Sequence, residues 1–523
     1  MWKKVLPIAI AIPAIFSGFL LADETARDKA AASITIDELR DHLYYLASDA
    51  LEGRMPGEPG YRIAAEYSAT QFRAAGLEVP DFGKDTPAFL QPVPLQRTDL
   101  GPDNYIKIIR GGKEEKFEHG EKYLLFHPGK EDISSTPLAP LFLGYGISEP
   151  EYGWDDLAGH EIEGRFVLIM LGVPGVDGKP VLPDEINKEY ADQFRGMFKK
   201  VRVLVEKGAG GIVIVPNLEI AMAWNMLHKM LGRMSISLVG SSDRRGMLDF
   251  PVPVIIAHAN LINAMFEGRG YDPLGRKGKY GTFELDDAEF VLNIDVEKVS
   301  FDSPNVVAIV HGSDPQLRDE YITVGAHLDH IGVQNGKVFN GADDNASGCV
   351  AILEAAEAVA ISPPRRSVIF ILYTAEEIGL YGSTYFVANT PVPLEQVVVN
   401  INLDMVGRSD SEPPGLLVIG SQEICGELKT LVIGTNEKRV NAELNFTTDE
   451  SDPLNYFNRS DHINFHRNGI PVVFLSCGEH NDYHTPNDDV EKIDFKRLRS
   501  ASLLTYELVM ELGNRDERIC TPK

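Results

Sequence analysis

The chain has 523 residues, 44% of them hydrophobic and 24% charged, which is too long for one ordinary core and close to globular averages, so two or three compact domains are expected. A formal net charge of -27 excludes a nucleic-acid partner, because phosphate binding needs clustered Lys and Arg. Most of the carboxylates solvate the surface, and only clustered ones point to chemistry.

Met1-Trp2-Lys3-Lys4 precedes an apolar run over 5–21 and then Ala22-Asp23-Glu24, the pattern of an export signal. Residues 1–22 are read as that signal, with an uncleaved anchor as the alternative, since Leu20 is a poor residue two places before Ala22. No other stretch has the length and apolarity of a membrane span. The rest of the chain is therefore expected in the periplasm or outside the cell, with no stable membrane insertion unless the signal is retained.

Thr35-Ile36-Asp37-Glu38 is a capping box that opens a helix with Ile36, Leu39, Leu43 and Leu46 on its apolar face. A Gly/Pro-rich loop over 51–60 follows, and a second helix is expected to stop at Gly76. These helices begin a first domain over 30–135. Between 136 and 297 the texture changes to short apolar strands such as 166–170, 211–215 and 253–256, and none of them ends in a polar cluster. This stretch reads as a separate, inserted domain. Gly208, Gly210 and Gly211 follow a helix and precede a strand, the reverse of a phosphate-binding turn.

From 298 to 523 apolar strand candidates at 305–310, 321–326, 367–373, 397–403 and 470–475 alternate with helices, which predicts a mostly parallel α/β sheet. Ligands of such sheets sit at the C-terminal ends of the strands. Five polar clusters fall at those ends. His327-Leu328-Asp329 offers an imidazole whose second nitrogen a carboxylate can hold. Asp343-Asp344-Asn345 stands before an apolar helix, where capping is an equally good explanation. The adjacent acids Glu376 and Glu377 repel each other unless a cation or shared proton relieves them. Asp404 ends an apolar strand, where an unpaired charge is costly. Tyr483-His484-Thr485 lies in a turn-like segment after the last strand.

Each cluster alone has a structural explanation. Together they supply two histidines and at least three carboxylates, the inventory for two divalent ions bridged by an acid. Cys349, Cys425, Cys477 and Cys520 contain no Cys-x-x-Cys pair and allow zero to two disulfides of open connectivity. His462/His466 and His480/His484 have the spacing of a zincin helix but lack Glu after the first His, and no Gly-x-Ser-x-Gly elbow is present.

The order His-x-Asp, Asp-Asp-Asn-x-Ser-Gly, Glu-Glu, Asn-x-Asp-Met, Tyr-His-Thr resembles the secreted two-zinc aminopeptidases of metallopeptidase family 28, clan MH. The resemblance also takes in Leu46-Ala47-Ser48-Asp49 and Leu51-Glu52-Gly53-Arg54. It implies a zinc-exopeptidase, phosphorylase/hydrolase-like fold: a mixed, mostly parallel sheet flanked by helices. Tyr152-Gly153-Trp154, the strand at 166–170 and Lys207-Gly208-Ala209-Gly210-Gly211 are similar to a protease-associated (PA) domain, a β-rich insert.

What the resemblance implies for the site is one zinc on His327 and Asp404, a second on Glu377 and His484, and Asp344 bridging. It further implies Glu376 as general base and acid, Asp329 as partner of His327, and Tyr483 as a donor to the developing oxyanion. The substrate implied is the N-terminus of a peptide or protein. Cobalt or manganese suits the same ligands. A carboxypeptidase, a dipeptidase, a glutaminyl-cyclase-like relative or a receptor-like member without catalysis stays open on sequence, as do subunit number and the preferred N-terminal residue.

Overall fold

The computed structural model describes residues 25–520 other than 84–87, 128, 130–132, 139, 177–178, 232–234, 241–249, 276–279, 411–413 and 421–424. The export signal expected over 1–22 lies outside the described residues. Among the described residues no helix is long and apolar enough to cross a membrane.

The chain divides into two compact units, one of residues up to Leu95 with those from Phe301 onward, the other Gln96–Ser300. Residues 96–135, read from the sequence with the first domain, lie in the second unit. Cross-strand pairing explains the difference: Tyr105–Arg110 is antiparallel to Glu289–Ile294, and Tyr123–His127 to Val254–Ala257. At the centre of this unit Pro140–Phe142, Phe166–Met170, Gly211–Val215 and Val254–Ala257 run parallel to one another. The three longer of these strands are buried throughout, as continuous apolar runs without alternation require.

After a helix over 25–33, the first unit continues with helices α1 (Ile36–Leu46) and α2 (Pro59–Ala74). Thr35 caps α1 as the sequence predicts, its Oγ1 accepting the Glu38 N–H at 3.2 Å. After α2 the chain reverses at Gly76, whose φ of +82° suits glycine. Leu39, Leu43 and Leu46 of α1, with Tyr61, Ala65 and Phe72 of α2, join the core beneath the sheet.

The sheet contains β1 (Val296–Val310), β2 (Tyr321–His327), β3 (Ser367–Tyr373), β4 (Val397–Leu403), β5 (Leu416–Ile419) and β6 (Val472–Ser476). Their spatial order is β1-β3-β2-β4-β6-β5. β3, β2, β4 and β6 are parallel, whereas β1 and β5 pair antiparallel with β3 and β6. The sheet is thus mixed with a parallel centre. Alternate residues of β3 face opposite cores, Val368, Phe370 and Leu372 on one side and Ile369, Ile371 and Tyr373 on the other.

Helix α3 (Gly348–Ile361) is apolar on nearly every side and buried along almost its whole length, the signature of a helix packed between layers. The C-terminal helix α4 (Phe495–Gly513) covers it, and Ser502 Oγ donates to Ala351 O at 2.8 Å. Cys425 and Cys520 form a disulfide across a sequence separation of 95, while Cys349 and Cys477 are buried and free.

A candidate metal centre at the strand ends

The parallel strands deliver their polar residues to one edge. β2 ends in His327, the turn after β3 carries Glu376 and Glu377, β4 runs into Asp404, Asp344 stands just before α3, and the segment after β6 carries Tyr483 and His484. Ala375, Met405 and His484 have φ of +56°, +57° and +52°, so the backbone is left-handed beside Glu376, beside Asp404 and at His484. Such conformations cost a non-glycine residue roughly 1 kcal/mol or more and collect where side chains must be aimed.

His327 is buried at 1% exposure. Its Nδ1 lies 3.1 Å from the carbonyl oxygen of Asp329, so the N–H on that nitrogen donates there and Nε2 is left bare toward the acids. Nε2 stands 3.4 Å from Asp344 Oδ1, 3.4 Å from Asp404 Oδ1 and 3.9 Å from Glu376 Oε2. The sequence reading gave the carboxylate of Asp329 to this imidazole. In the structure that carboxylate is 3.9 Å from Nδ1, and its oxygens accept the backbone N–H groups of Glu376 at 3.1 Å and Glu377 at 3.3 Å. Asp329 thereby fixes the Glu376-Glu377 turn, and burial raises its pKa to about 7.

The other oxygen of Asp344 faces a second set. Oδ2 is 3.2 Å from His484 Nε2 and 3.7 Å from His330 Nδ1. His484 Nε2 also lies 2.9 Å from Glu377 Oε2, and His330 Nδ1 lies 2.6 Å from Glu377 Oε1. Burial disfavours the His484 cation, but hydrogen bonds to Asp344 and Glu377 outweigh it and raise the pKa to about 10. Burial likewise pushes Glu376 well above the carboxylate range, whereas His330 and His484 overcome burial and hold Glu377 below it.

Two groups of donor atoms result, His327, Glu376 and Asp404 on one side and His330, Asp344, Glu377 and His484 on the other, each group within 4.8 Å. The donor chemistry fits a pair of divalent cations. Imidazole and carboxylate ligands at 2.0 to 2.2 Å in a tetrahedral arrangement stand about 3.3 Å apart. The contacts of Asp344 with His327 and His484, at 3.4 and 3.2 Å, match that separation. The ion pairs of Asp344, Glu376, Glu377 and Asp404 are made with histidines alone among the described residues. Tyr483 lines the same cavity, its ring stacked on His484 at 3.9 Å between centroids.

Residues 305–509 match the family model of peptidase family M28. This part of the chain is an M28 peptidase domain. Aminopeptidase YwaD of Bacillus subtilis (strain 168) is 29% identical over 228 residues, covering 42% of this chain and 47% of the relative. Leucine aminopeptidase 1 of Ajellomyces dermatitidis (strain ER-3 / ATCC MYA-2586) is 31% identical over 246 residues, covering 43% of this chain and 60% of the relative. The chain therefore spans between 47% and 60% of the length of these curated relatives. The solved aminopeptidase from Aneurinibacillus sp. strain AM-1 superposes with a TM-score of 0.56 at 19% identity, over 95% of this chain and 98% of that one, which shows a shared fold.

Two residues of the M28 domain escaped sequence reasoning. His330 stands one place after Asp329, and its signal was the second imidazole in His327-Leu328-Asp329-His330. Asp488, buried, accepts the N–H groups of Asp343 and Asp344, both at 3.0 Å, and so holds the backbone that carries the shared acid. Its only signal was a position four residues after His484. His462, by contrast, is a core residue: it stacks on Phe474 at 4.3 Å, and burial lowers its pKa to about 3.

Proposed function

We propose that this protein is an exported metallo-aminopeptidase that carries two zinc ions and releases amino acids from the N-termini of peptides. The observation that carries the reading is Asp344, whose two oxygens face His327 and His484 separately. His327 and Asp404 would hold one ion, Glu377 and His484 the other, and Asp344 both; cobalt or manganese suits the same donors. Bound there, the cations would lower the pKa of a water toward 7 and polarise the scissile carbonyl.

Glu376 is the general base. Its carboxylate borders the cavity beside His327 and Asp404, where it takes the proton of the attacking water and passes it to the leaving amine. The Tyr483 hydroxyl, in the same cavity, donates a hydrogen bond to the developing oxyanion. The concentration of acids draws a free α-amino group, which favours chain ends over internal peptide bonds. Support for the substrate class comes from the M28 domain and from relatives that are named aminopeptidases. Residues 136–297 are read as a protease-associated insert, and export as a consequence of the signal over 1–22.

The test is metal content per chain on the signal-free protein, paired with hydrolysis of aminoacyl-anilides and their N-acetylated forms. About two zinc ions with cleavage of free-amine substrates alone is the expected result. No bound metal and no chelator-sensitive hydrolysis overturns the reading.

A further inference from the structure

The segment Asp49–Arg54 is far from the metal ligands in sequence, yet it is built against the loops that carry two of them. Glu52, Gly53 and Arg54 are consecutively left-handed, with φ of 48°, 67° and 49°. This turn presses its backbone onto residues 328–341. Gly332 N–H donates to Gly53 O at 3.0 Å and His330 N–H to Arg54 O at 3.3 Å. A Cβ at Gly53 would stand 2.4 Å from Phe339 O and 2.7 Å from Gly332 O, so only glycine fits there.

Arg54 itself is 1% exposed. Its guanidinium donates to four carbonyl oxygens: Nε to Leu328 at 2.8 Å, Nη1 to Leu46 at 2.6 Å and Asn340 at 2.7 Å, and Nη2 to Gly341 at 3.0 Å. No carboxylate lies within ion-pair distance of it among the described residues. Leu328 is the residue after His327, and Gly341 lies three before Asp344. One planar fork therefore clamps the end of α1 and both ligand-bearing loops at a fixed separation. A buried cation without a carboxylate in contact is costly, and nearby acids offset that cost: burial lowers its pKa, while Asp344, Asp329 and Asp488 oppose the shift.

We infer that Arg54 is a positioning residue for the metal centre: it sets His327 against Asp344 at the spacing a shared cation needs and places a fixed positive charge among the acids that surround it. The inference rests on the proposed metal reading of that site. A role in packing alone would leave the metal affinity of a folded variant unchanged.

The experiment compares wild type, Arg54→Lys and Gly53→Ala by competition with a chelator for each Zn²⁺ equivalent. The visible spectrum of the Co²⁺-loaded proteins and the unfolding midpoint of the metal-free proteins are measured alongside. Lysine keeps the charge but cannot span four carbonyls, so Arg54→Lys is expected to bind metal roughly 10 to 100-fold more weakly, with an altered cobalt spectrum. Gly53→Ala keeps the guanidinium and displaces the loop under it, so it shifts both readouts in the same direction and carries the test should Arg54→Lys not fold. Wild-type affinity and spectrum in either folded variant, with only the metal-free midpoint lowered, overturn the inference while leaving the metal reading intact. A wild type that takes up no metal overturns both.

Discussion

His330 and Glu377 meet at 2.6 Å between Nδ1 and Oε1. Two ligands of one tetrahedral zinc stand about 3.3 Å apart, so this contact is the length of a charge-assisted hydrogen bond and too short for a pair of co-ligands. We assign Nδ1–H of His330 as the donor of a hydrogen bond to Glu377. The bond leaves Oε2 of Glu377 directed at His484, 2.9 Å away. A carboxylate free to rotate would present either oxygen, or neither, to a cation.

His330→Ala is therefore expected to keep the fold and to weaken the metal position shared by Glu377 and His484 by about 10 to 100-fold, the usual effect of removing a group that orients a ligand. The position shared by His327 and Asp404 should change less. Isothermal titration of metal-free protein with Zn²⁺ resolves the two equivalents. Equal loss at both positions, or none, contradicts the assignment.

Glu376 and Asp344 separate chemistry from binding. Glu376→Gln keeps the size of the side chain and removes the base, so metal content should stay at the wild-type value while kcat falls by about 10² to 10⁴-fold, the range for a lost general base. Asp344→Ala removes the acid that faces both His327 and His484, and metal content should fall together with activity. Elemental analysis of the two variants beside their rates checks this. Full turnover by Glu376→Gln would remove Glu376 from the mechanism.

What the sequence made legible follows from where the chemistry is written. Apolar runs such as 367–373 and 397–403 became β3 and β4 because a doubly covered sheet leaves a continuous hydrophobic signal. Residues that follow such runs are carried to one edge of the sheet, which is why Glu376, Glu377 and Asp404 were readable as a group. Arg54 was not readable in this way, since its partners are backbone carbonyls that any residue could supply, and Asn340 and Gly341 are 286 and 287 positions away. Asp329 was found, but the hydrogen bonds its carboxylate accepts from the Glu376-Glu377 turn were not. A carboxylate two residues after a histidine reaches either its ring or the neighbouring turn, and only the register of β2 against β3, with His327 opposite Tyr373, decides for the turn. The limit of the second unit was misplaced because Tyr105–Arg110 shows its membership only by pairing with Glu289–Ile294, far along the chain.

Acid should weaken the far edge of the sheet through Glu320. This residue precedes β2, and its carboxylate receives Arg366 Nε at 2.7 Å and Arg518 Nε at 2.8 Å. Arg366, 1% exposed, stands immediately before β3, and its backbone N–H donates to Gly513 O at the end of α4 at 3.0 Å. One acid therefore neutralises the cation that joins β3 to α4. Burial of Glu320 raises its pKa, but the two guanidinium groups outweigh burial and the net shift is downward from 4.5. A carboxylate depressed in the folded state contributes stability that is fully present above its unfolded pKa and disappears as pH falls through the folded value. Glu320→Gln should accordingly lower the unfolding free energy of the metal-free protein by roughly 1.5 to 3 kcal/mol at pH 7, as expected for lost hydrogen bonds to charged partners. As pH falls through that depressed folded value the wild-type carboxylate protonates and gives up the same interaction, so the two proteins should converge. Urea denaturation at pH 7 and at a pH below the folded value measures both differences. An unchanged gap between wild type and variant at the two values would mean that Glu320 acts through shape and not through charge.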